Sequence, residues 1–366
     1  MKKVAVALSG GVDSSVSAYL LKKKGYYVIG IFMFNWKENN CMWEDIRYAM
    51  LISNKLNIPF YVLDLRKEYK KEIIKYMING YKKGITPNPD VICNEKIKFG
   101  IFLKKSLNLN VDYIATGHYV RKKEKKKFHL LSGKDKKKDQ SYFLCRINQY
   151  QLSKSLFPLG NLTKKKVRLI AKKLKFYNAY KKDSQGLCFV GKIKIIDFLK
   201  KKIKKKIGDI IYISKKKKKK GKGNKKEYEK RYKYKKIGEH IGHYYFTIGQ
   251  RRNLNIEGQK YPLYLLNKNK IKNKLYVCKK NHKELYKKKI FIKKKTIHWI
   301  NTNYSYKKSL KVMCKIRYNI NKQKALLCFS SKGVLVKFNN YQYAVTPGQF
   351  IVWYIKDELI GSGIIN

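Results

Sequence analysis

The first fifteen residues constrain the fold of this chain more than any other stretch. Residues 4–8 form an apolar run that predicts a buried parallel strand, and residues 16–24 predict a helix that ends at Gly25. Between them lies the sequence SGGVDSS, residues 9–15. A glycine-rich turn between a strand and a helix presents free backbone N–H groups to an anion. The stretch therefore predicts a phosphate-binding loop in an α/β domain.

The side chains of this loop suit phosphate and metal chemistry. Gly10 and Gly11 let a phosphate approach the backbone because they carry no Cβ. The serines add hydroxyl donors, and Asp13 is a candidate ligand for a Mg²⁺ that bridges phosphates. No G-K-[ST] follows, so the loop supplies no lysine to a γ-phosphate. The spacing resembles the PP-loop of ATP pyrophosphatases, which cleave ATP between the α- and β-phosphates; the alternative is an ordinary serine-rich helix cap.

Strands and helices alternate through the first part of the chain. Strands are predicted at 27–34, 60–63 and 111–116, with helices at 42–56 and 66–83. This order indicates an α/β fold with a doubly wound parallel sheet, in which ligands bind beyond the carboxyl ends of the strands. Beyond residue 263, short strands recur between turns and predict a small β-sandwich or β-barrel.

The composition is strongly basic, with a formal net charge of +65 at pH 7 over 366 residues. Such a charge is typical of proteins that bind nucleic acid. Lysine, asparagine, isoleucine and tyrosine have A/T-rich codons and are abundant, so we interpret most of the charge as mutational drift in an A/T-rich genome. The alternative for the remaining charge is a modest basic face that is selected for binding. Nine of the 88 basic residues are arginine. We interpret Arg168, Arg251, Arg252 and Arg317 as positions that need a planar fork of several donors.

Cysteine usage and hydropathy favour a cytoplasmic location. The seven cysteines are odd in number and show no C-x-x-C, which argues against a disulfide scaffold, a zinc ribbon and an iron–sulfur thiolase. The apolar run at 4–8 is too short for a signal peptide, and no segment approaches 18 continuous apolar residues.

Two cysteines lie in polar, loop-like settings. Pro87 and Pro89 predict a rigid loop that places Asp90 three residues before Cys93. If residues 92–102 are helical, Cys93 lies at a helix N-terminus, where the pKa of a thiol is lowered. The alternative is a buried, inert cysteine. The second cysteine, in the sequence DSQGLCF at 183–189, follows a flexible glycine.

Further polar residues follow the fourth predicted strand. Gly117 and His118 stand at its end, where a ligand is expected. Residues 121–138 predict a basic hairpin, and the polar triplet at 138–140 precedes a predicted aromatic strand. The triplet is a candidate for RNA contact or a simple turn.

Taken together and in order, these motifs resemble the bacterial-type tRNA-specific 2-thiouridylases. The matching stretches are SGGVDSS, GIFMFNW, TPNPDVICN, ATGHY, KDQSYFL, FPLG, DSQGLCF, HxGxYYFTIGQR and TPGQ. The resemblance covers nearly the whole chain. Gln185 and Leu187 depart from the threonine and isoleucine expected around the second cysteine, and neither change removes the thiol.

The resemblance implies a set of site residues. The implied ATP contacts are Ala7, Leu8, Ser9, Gly10, Gly11, Val12, Asp13, Ser14, Met33 and Gly117. Asn88, Pro89 and Asp90 would face the target base, with Asp90 as acid or base. Cys93 would be the nucleophile, and Cys188 would carry a persulfide. The implied tRNA contacts are His118, Lys138, Asp139, Gln140, Arg317, Tyr318 and Gln349.

The resemblance also implies a reaction, cofactors and partners. With ATP and Mg²⁺, the C2 oxygen of uridine 34 in the anticodon would be adenylated. Sulfur from the persulfide would then give 2-thiouridine, AMP and pyrophosphate, leaving a Cys93–Cys188 disulfide. The implied tRNAs are those for Lys, Glu and Gln, and the sulfur donor is a cysteine desulfurase or a sulfur carrier. The alternatives are another PP-loop enzyme, such as a lysidine synthetase, and a non-catalytic RNA-binding protein.

The expected domains follow from the motifs and the change in composition. Residues 1–200 are predicted to form the PP-loop ATP-binding catalytic domain, and 276–366 a C-terminal β-barrel-like domain. Between them, 201–275 are predicted to form a central tRNA-binding domain. Its lysine run at 215–220 predicts a solvated loop that extends to Lys236.

Overall fold

The computed structural model describes residues 1–36, 41–183, 195–215, 232–254, 256–304 and 308–366. The strands before residue 184 are β1 (Lys3–Ala7), β2 (Tyr27–Phe34), β3 (Phe60–Asp64), β4 (Tyr113–Ala115), β5 (Val120–Glu124), β6 (Phe128–Ser132) and β7 (Ser155–Leu156). The helices there are α1 (Val12–Lys23), α2 (Cys41–Lys55), α3 (Arg66–Tyr69), α4 (Lys75–Lys82), α5 (Pro89–Ile92), α6 (Leu103–Leu107), α7 (Gln149–Ser153) and α8 (Lys164–Lys173). Lys70–Ile74 and Cys93–Phe102 are π-helical, and Ser141–Leu144 is a 3₁₀-helix.

A parallel sheet in the order β3-β2-β1-β4-β7 forms the N-terminal part, which confirms the predicted doubly wound α/β fold. The strand order changes direction at β1, between its neighbours β2 and β4. Ligands of such sheets bind at this switch point, beyond the carboxyl ends of the strands. The loop after β1 lies there.

Side chains of β1 alternate between two cores, as the period of a strand requires. Ala5 and Ala7 pack in a core that also contains Cys93 and Phe99. Val4 and Val6 pack on the opposite face, in a core shared with α1 and α8. The phosphate-binding loop therefore emerges between a face that carries Cys93 and a face that carries α8.

The middle of the chain forms a second sheet in the order β10-β11-β8-β9. Its elements are α9 (Ile195–Lys202), β8 (Gly208–Lys215), β9 (Tyr232–His240), the 3₁₀-helix His243–Tyr245, β10 (Leu263–Asn269) and β11 (Lys274–Lys279). The prediction of a solvated loop from Lys215 to Lys236 is wrong at both ends. Lys215 is the last residue of β8, and residues 232–236 lie in β9, its antiparallel partner. Residues 216–231 lie outside the described residues.

The C-terminal part is an antiparallel sheet. Its elements are the 3₁₀-helix Lys283–Leu285, β12 (Tyr286–Lys293), the 3₁₀-helix Lys294–Thr296, β13 (His298–Trp299), the 3₁₀-helix Thr302–Tyr304, β14 (Ser309–Lys315), β15 (Gln323–Ser330), β16 (Gly333–Tyr343), β17 (Phe350–Ile355) and β18 (Glu358–Ile364). The strand order is β12-β16-β15-β14-β17-β18-β6-β5, with β13 against β18. The basic hairpin β5–β6 thus extends this C-terminal sheet through the β6–β18 pair, although it belongs to the N-terminal part of the sequence.

The helices of the described ranges are all too short or too polar to cross a lipid bilayer.

Candidate active site

The glycine-rich loop has the geometry of an anion site. Gly10 has φ of 70°, and a Cβ there would lie 2.2 Å from the backbone oxygen of Asp45. Glycine is therefore required by both backbone conformation and space. Gly11 is the N-cap of α1, and Val12 begins the helix. The N–H groups of the first helical turn have no intrahelical acceptors, so they face the carboxyl end of β1 ready for an anion.

The serines of the loop hold its shape. The hydroxyl of Ser14 donates to the carbonyl of Gly11 (2.9 Å) and accepts from the backbone N–H of Ser9 (3.2 Å). Ala7, Leu8, Val12 and Met33 are buried around this turn, so only their backbone atoms or edges are available to a nucleotide.

The loop after β4 packs directly on the first turn of α1. A Cβ at Gly117 would lie 3.0 Å from backbone atoms of Asp13 and Ser14, so glycine permits this approach. The hydroxyl of Tyr119 donates to Asp13 Oδ1 (2.7 Å). Burial and the neighbouring Asp13 raise the pKa of Tyr119, which stays protonated. The structure thus brings Gly117 together with the predicted phosphate loop.

The segment before the second cysteine motif is attached to the same loop. The amide of Asn178 donates to the carbonyl of Gly10 (3.0 Å) and to the hydroxyl of Ser15 (2.9 Å). Arg168 donates to Asp183 Oδ1 (2.9 Å) and to the carbonyls of Ala179 and Lys181. The chain is therefore held beside the PP-loop as far as Asp183. Cys188 lies outside the described residues, so its position relative to Cys93 stays a prediction.

Acidic and basic side chains form a cluster at this place. Lys164 Nζ lies 2.8 Å from both carboxylate oxygens of Asp13 and 2.7 Å from Asp183 Oδ1. Lys138, a predicted tRNA contact, donates to Asp183 Oδ2 (2.7 Å). Burial raises the pKa of Asp183, but hydrogen bonds from Lys138 and Lys164 prevail and lower it to about 2. Asp183 is therefore an anion throughout the physiological pH range.

The segment before Cys93 differs from the prediction. Asn88 is a helix N-cap whose side chain accepts from the N–H of Val91 (3.2 Å), and Pro89 is the first helical residue. The prediction of a rigid loop extending to Cys93 is wrong, because a helix begins at Pro89. Proline suits the first helical position, since the N–H that it lacks would have no intrahelical acceptor there. Cys93 begins the π-helical segment one turn further on and is fully buried. The placement of Cys93 at the helix N-terminus is therefore also wrong. Asp90 lies in the first turn and is half-buried.

The C-terminal sheet holds this helix start. Gln349 donates to the carbonyl of Thr86 (2.9 Å) and accepts from the amide of Asn88 (3.3 Å). The N–H of Thr86 donates to the carbonyl of Pro347 (2.9 Å), and its hydroxyl lies 3.2 Å from that of Thr247. Segments from all three parts of the chain therefore meet at Thr86.

Two other predicted tRNA contacts are engaged inside the protein. Arg317 donates to the carbonyls of Ile248 and Ala344 and to the hydroxyl of Thr346. The ring of Tyr318 lies 4.4 Å from that of Phe143. Arg168 thus donates from both terminal nitrogens of its fork, as predicted, whereas Arg317 donates from Nη2 alone. Arg251 and Arg252 are exposed.

The remaining predicted tRNA contacts shape a turn. Burial lowers the pKa of His118, so its ring is neutral, and Nδ1 lies 2.8 Å from the hydroxyl of Thr116. Asp139 accepts from the N–H groups of Gly133 and Ser141, and Gln140 accepts from that of Tyr119. The residues that follow are a 3₁₀-helix rather than the predicted aromatic strand.

Three other cysteines of the described chain have poorly nucleophilic thiols. Burial raises the pKa of Cys145 and of Cys278 to about 12 and raises that of Cys314 as well. A thiol must ionise to react, so these cysteines are inert near neutral pH.

Within the described ranges, no group of three or more His, Cys, Asp or Glu side chains is arranged to hold a metal ion. Mg²⁺ commonly binds through one or two carboxylates, with phosphate oxygens and water as the other ligands. Asp13, in the first turn of α1, fits this limited role.

Sequence reasoning missed several residues of the site. Lys164 is the first of three consecutive lysines in a lysine-rich chain, so its sequence context does not distinguish it from other lysines. Asp183 and Tyr119 lie in the motifs DSQGLCF and ATGHY, which are a signal for both residues, whereas Asn178 lies in none of the matching motifs.

Known proteins are similar to this chain along its whole length. Family models described as tRNA methyl transferase HUP domain, tRNA methyl transferase PRC-barrel domain and Aminomethyltransferase beta-barrel domain match residues 2–192, 196–279 and 288–365. The protein named tRNA-specific 2-thiouridylase MnmA from Karelsulcia muelleri (strain GWSS) is 55% identical, covering 100% of this chain and 99% of that protein.

Two further relatives carry the same name. The protein from Flavobacterium johnsoniae is 45% identical and covers 100% of both chains. The protein from Buchnera aphidicola subsp. Acyrthosiphon pisum is 42% identical, covering 100% of this chain and 97% of that protein. With this similarity over the full chain, and with the PP-loop built as its sequence predicts, the chain belongs to the family of tRNA-specific 2-thiouridylases.

Proposed function

We propose that this chain is an ATP-dependent tRNA-uridine 2-sulfurtransferase that acts on uridine 34 of the anticodon. One observation carries the proposal: the segment that leads to Cys188 is attached to the PP-loop. Asn178 binds the carbonyl of Gly10, and Asp183 shares Lys164 with Asp13. This arrangement joins a loop suited to pyrophosphate with a segment that leads to a thiol, which a sulfurtransferase driven by ATP requires.

In the first step, the C2 oxygen of uridine attacks the α-phosphorus of ATP. The bond between the α-phosphorus and the bridging oxygen breaks, and pyrophosphate leaves with the electron pair. The N–H groups of Gly11 to Asp13 would bind the departing phosphates at the α1 N-terminus. Mg²⁺, held by Asp13, would supply charge neutralisation there. Asp90 would receive or return a proton at the base.

In the second step, the Cys93 thiolate attacks the inner sulfur of a Cys188 persulfide. Hydrosulfide is released and adds to C2, and AMP leaves with the original C2 oxygen. A Cys93–Cys188 disulfide forms, and a thiol reductant must reduce it before the next turnover. Cys93 is fully buried, so binding of tRNA has to give it access. The π-helical geometry at Cys93 is of a kind that occurs frequently at functional sites.

The partners follow from this chemistry. A uridine within an anticodon must be splayed out before its C2 carbonyl can react. The substrates would be the Lys, Glu and Gln tRNAs, with His118, Lys138 to Gln140, Tyr318 and Gln349 near the path of the RNA. A cysteine desulfurase or a sulfur carrier would load Cys188. The reaction belongs in a reducing cytoplasm, because it consumes a thiol reductant.

The family description also mentions methyl transfer. Such a reaction moves a carbon group and needs neither a pyrophosphate leaving group nor a pair of thiols. The preserved PP-loop and the two cysteine motifs therefore favour sulfur transfer. Lysidine synthesis shares the ATP step but not the need for thiols.

Mass spectrometry of nucleosides tests the proposal. Substrate tRNA is incubated with the protein, ATP, a cysteine desulfurase with cysteine, and a reductant. We expect 2-thiouridine at position 34, together with AMP and pyrophosphate. The Cys93→Ser and Cys188→Ser variants should lose the product by at least about 100-fold, whereas Cys278→Ser should keep it, since Cys278 is an inert core thiol.

Non-reducing peptide mapping after one turnover should find the Cys93–Cys188 disulfide. A methylated or lysine-bearing nucleoside would overturn the assignment, as would normal thiolation by the Cys93→Ser variant. Tight tRNA binding without release of pyrophosphate would instead identify a non-catalytic RNA-binding protein.

A further inference from the structure

Lys164 occupies a position that its lysine neighbours do not share. Its ammonium lies 2.8 Å from both carboxylate oxygens of Asp13 and 2.7 Å from Asp183, and its side chain is only 13% exposed. Lys165 and Lys166, the next two residues, are exposed. In a chain in which most lysines are solvated, this one faces the phosphate-binding loop.

The fold places this lysine precisely enough for a chemical role. Thr163 caps α8 by accepting from the N–H of Lys166 (3.3 Å), and the N–H of Lys164 donates to Asp135 (2.9 Å). Val167, one turn into α8, packs in the same core as Val12 of α1. The starts of the two helices are therefore held side by side, and Lys164 reaches the first turn of α1.

The negative charge of Asp13 in the phosphate loop is neutralised by Lys164. Asp13 places a carboxylate in the first turn of α1, where pyrophosphate would bind, and the two negative charges repel each other. The loop itself contains no lysine. The Lys164 ammonium has three donors, which contact Asp13 and Asp183 and can turn to phosphate oxygens from the same position.

We propose that Lys164 is the phosphate-binding lysine of this PP-loop, supplied from α8 rather than from the loop. It contacts non-bridging oxygens of the β- and γ-phosphates and stabilises pyrophosphate as the bond from the α-phosphorus to the bridging oxygen breaks. Lys164 donates hydrogen bonds and contributes positive charge, and this role involves no proton transfer. Asp183 retains the ammonium when phosphates draw it away from Asp13. This role rests on the proposed function.

Binding of inorganic pyrophosphate tests the inference without relying on thiolation. Calorimetry is performed on the full chain with Mg²⁺ for the wild type, Lys164→Met, Lys164→Arg and the control Lys165→Met. We expect Lys164→Met to weaken pyrophosphate binding at least tenfold, Lys164→Arg to restore part of it, and Lys165→Met to match the wild type. If Lys164→Met proves unstable, the double variant Lys164→Met, Asp183→Asn removes one of the two carboxylates that Lys164 neutralises and serves in its place.

Kinetics of pyrophosphate release in the presence of tRNA provide the second measurement. Lys164→Met should lower kcat by about 100-fold, the size expected for loss of one charged donor at a developing anion. The KM for tRNA should be unchanged. Unaltered pyrophosphate binding in Lys164→Met, or equal losses in Lys165→Met, would overturn the inference. A wild-type protein that binds pyrophosphate through Lys164 but forms no thiouridine would refute the proposed function alone.

Discussion

The two sides of the candidate active site are held by different physical means. On the PP-loop side, ion pairs dominate: Lys164 joins Asp13 to Asp183, and Asp183 also pairs with Lys138 and Arg168. On the Cys93 side, neutral hydrogen bonds dominate. There Gln349 and the Pro347 carbonyl hold the segment that caps the helix leading to Cys93. Asp13 and Asp183 keep 31% of their side chains exposed, whereas Cys93 is fully buried.

This difference matches the chemistry proposed for each side. A departing pyrophosphate carries several negative charges, so its site needs mobile cations and tolerates water. A thiol and an uncharged base need exact placement, and neutral hydrogen bonds in a buried setting provide it without charges that must be desolvated. Salt and pH should therefore perturb the PP-loop side more than the Cys93 side.

The largest effect is expected at Gly10. In Gly10→Ala the new Cβ would lie 2.2 Å from the Asp45 backbone oxygen at φ of 70°, so the loop has to move. We expect pyrophosphate release to fall by at least about 100-fold, because the oriented N–H groups lose their places. Quenched-flow measurement of pyrophosphate checks this.

Gly25→Ala is the matched control, since Gly25 has φ of 80° with no atom within 4 Å of a Cβ. It should cost about 1 kcal/mol of stability for the backbone conformation alone and leave pyrophosphate release unchanged. Equal activity losses in both variants would show that backbone strain, rather than the close contact with Asp45, governs the loop.

The sequence predicted the local elements of the N-terminal sheet well. The apolar runs at β1 and β2 are buried on both faces, and such runs identify strands without reference to a partner. Pro89 misled the prediction, because proline is equally typical of a rigid loop and of the first residue of a helix. The run at 142–144 is aromatic enough for a strand, yet it forms a 3₁₀-helix whose preceding turn Asp139 holds.

Long-range pairing was beyond prediction from one sequence. The hairpin β5–β6 was foreseen, but its pairing with β18 joins residues more than two hundred positions apart, and alternation of side chains does not name a partner. In the site, backbone chemistry was predictable from glycines and spacing. The position of Lys164 in the site was not predictable, because the sequence does not distinguish it from the other residues among the 88 that are basic.

An intermediate effect is expected at Gln349, on the neutral side. Gln349→Ala leaves the amide of Asn88 and the carbonyl of Thr86 without this partner, at a cost of about 1–3 kcal/mol for buried groups. We expect thiolation to fall roughly tenfold while tRNA affinity changes little, because the side chain positions the segment before Asp90. Filter binding of tRNA and single-turnover thiolation separate the two.

The outcome decides between two roles for Gln349. A loss of tRNA affinity at an unchanged single-turnover rate would favour the direct tRNA contact that the family resemblance implies. Raising the salt concentration should not enlarge the effect of Gln349→Ala on the rate, since the lost contacts are uncharged. A marked salt dependence would contradict the division of the site into charged and neutral sides.

The smallest effect is expected at Asp183, through pH. Its folded-state pKa is about 2, below the usual 3.8, so ionised Asp183 stabilises the folded protein above about pH 4. This contribution should disappear as the pH falls from about 4 to 2, where the carboxylate becomes protonated. Because the side chain is 31% exposed, solvent screening limits the contribution to about 1 kcal/mol. Thermal unfolding of Asp183→Asn and of the wild type should therefore differ at pH 6 and converge near pH 2.

Asp64→Asn is the control, because the Asp64–Arg66 pair is well exposed and should matter little at either pH. A difference between Asp183→Asn and the wild type that persists unchanged at pH 2 would show that Asp183 acts through packing or neutral hydrogen bonds, and the PP-loop side would then resemble the Cys93 side more than the ion pairs suggest.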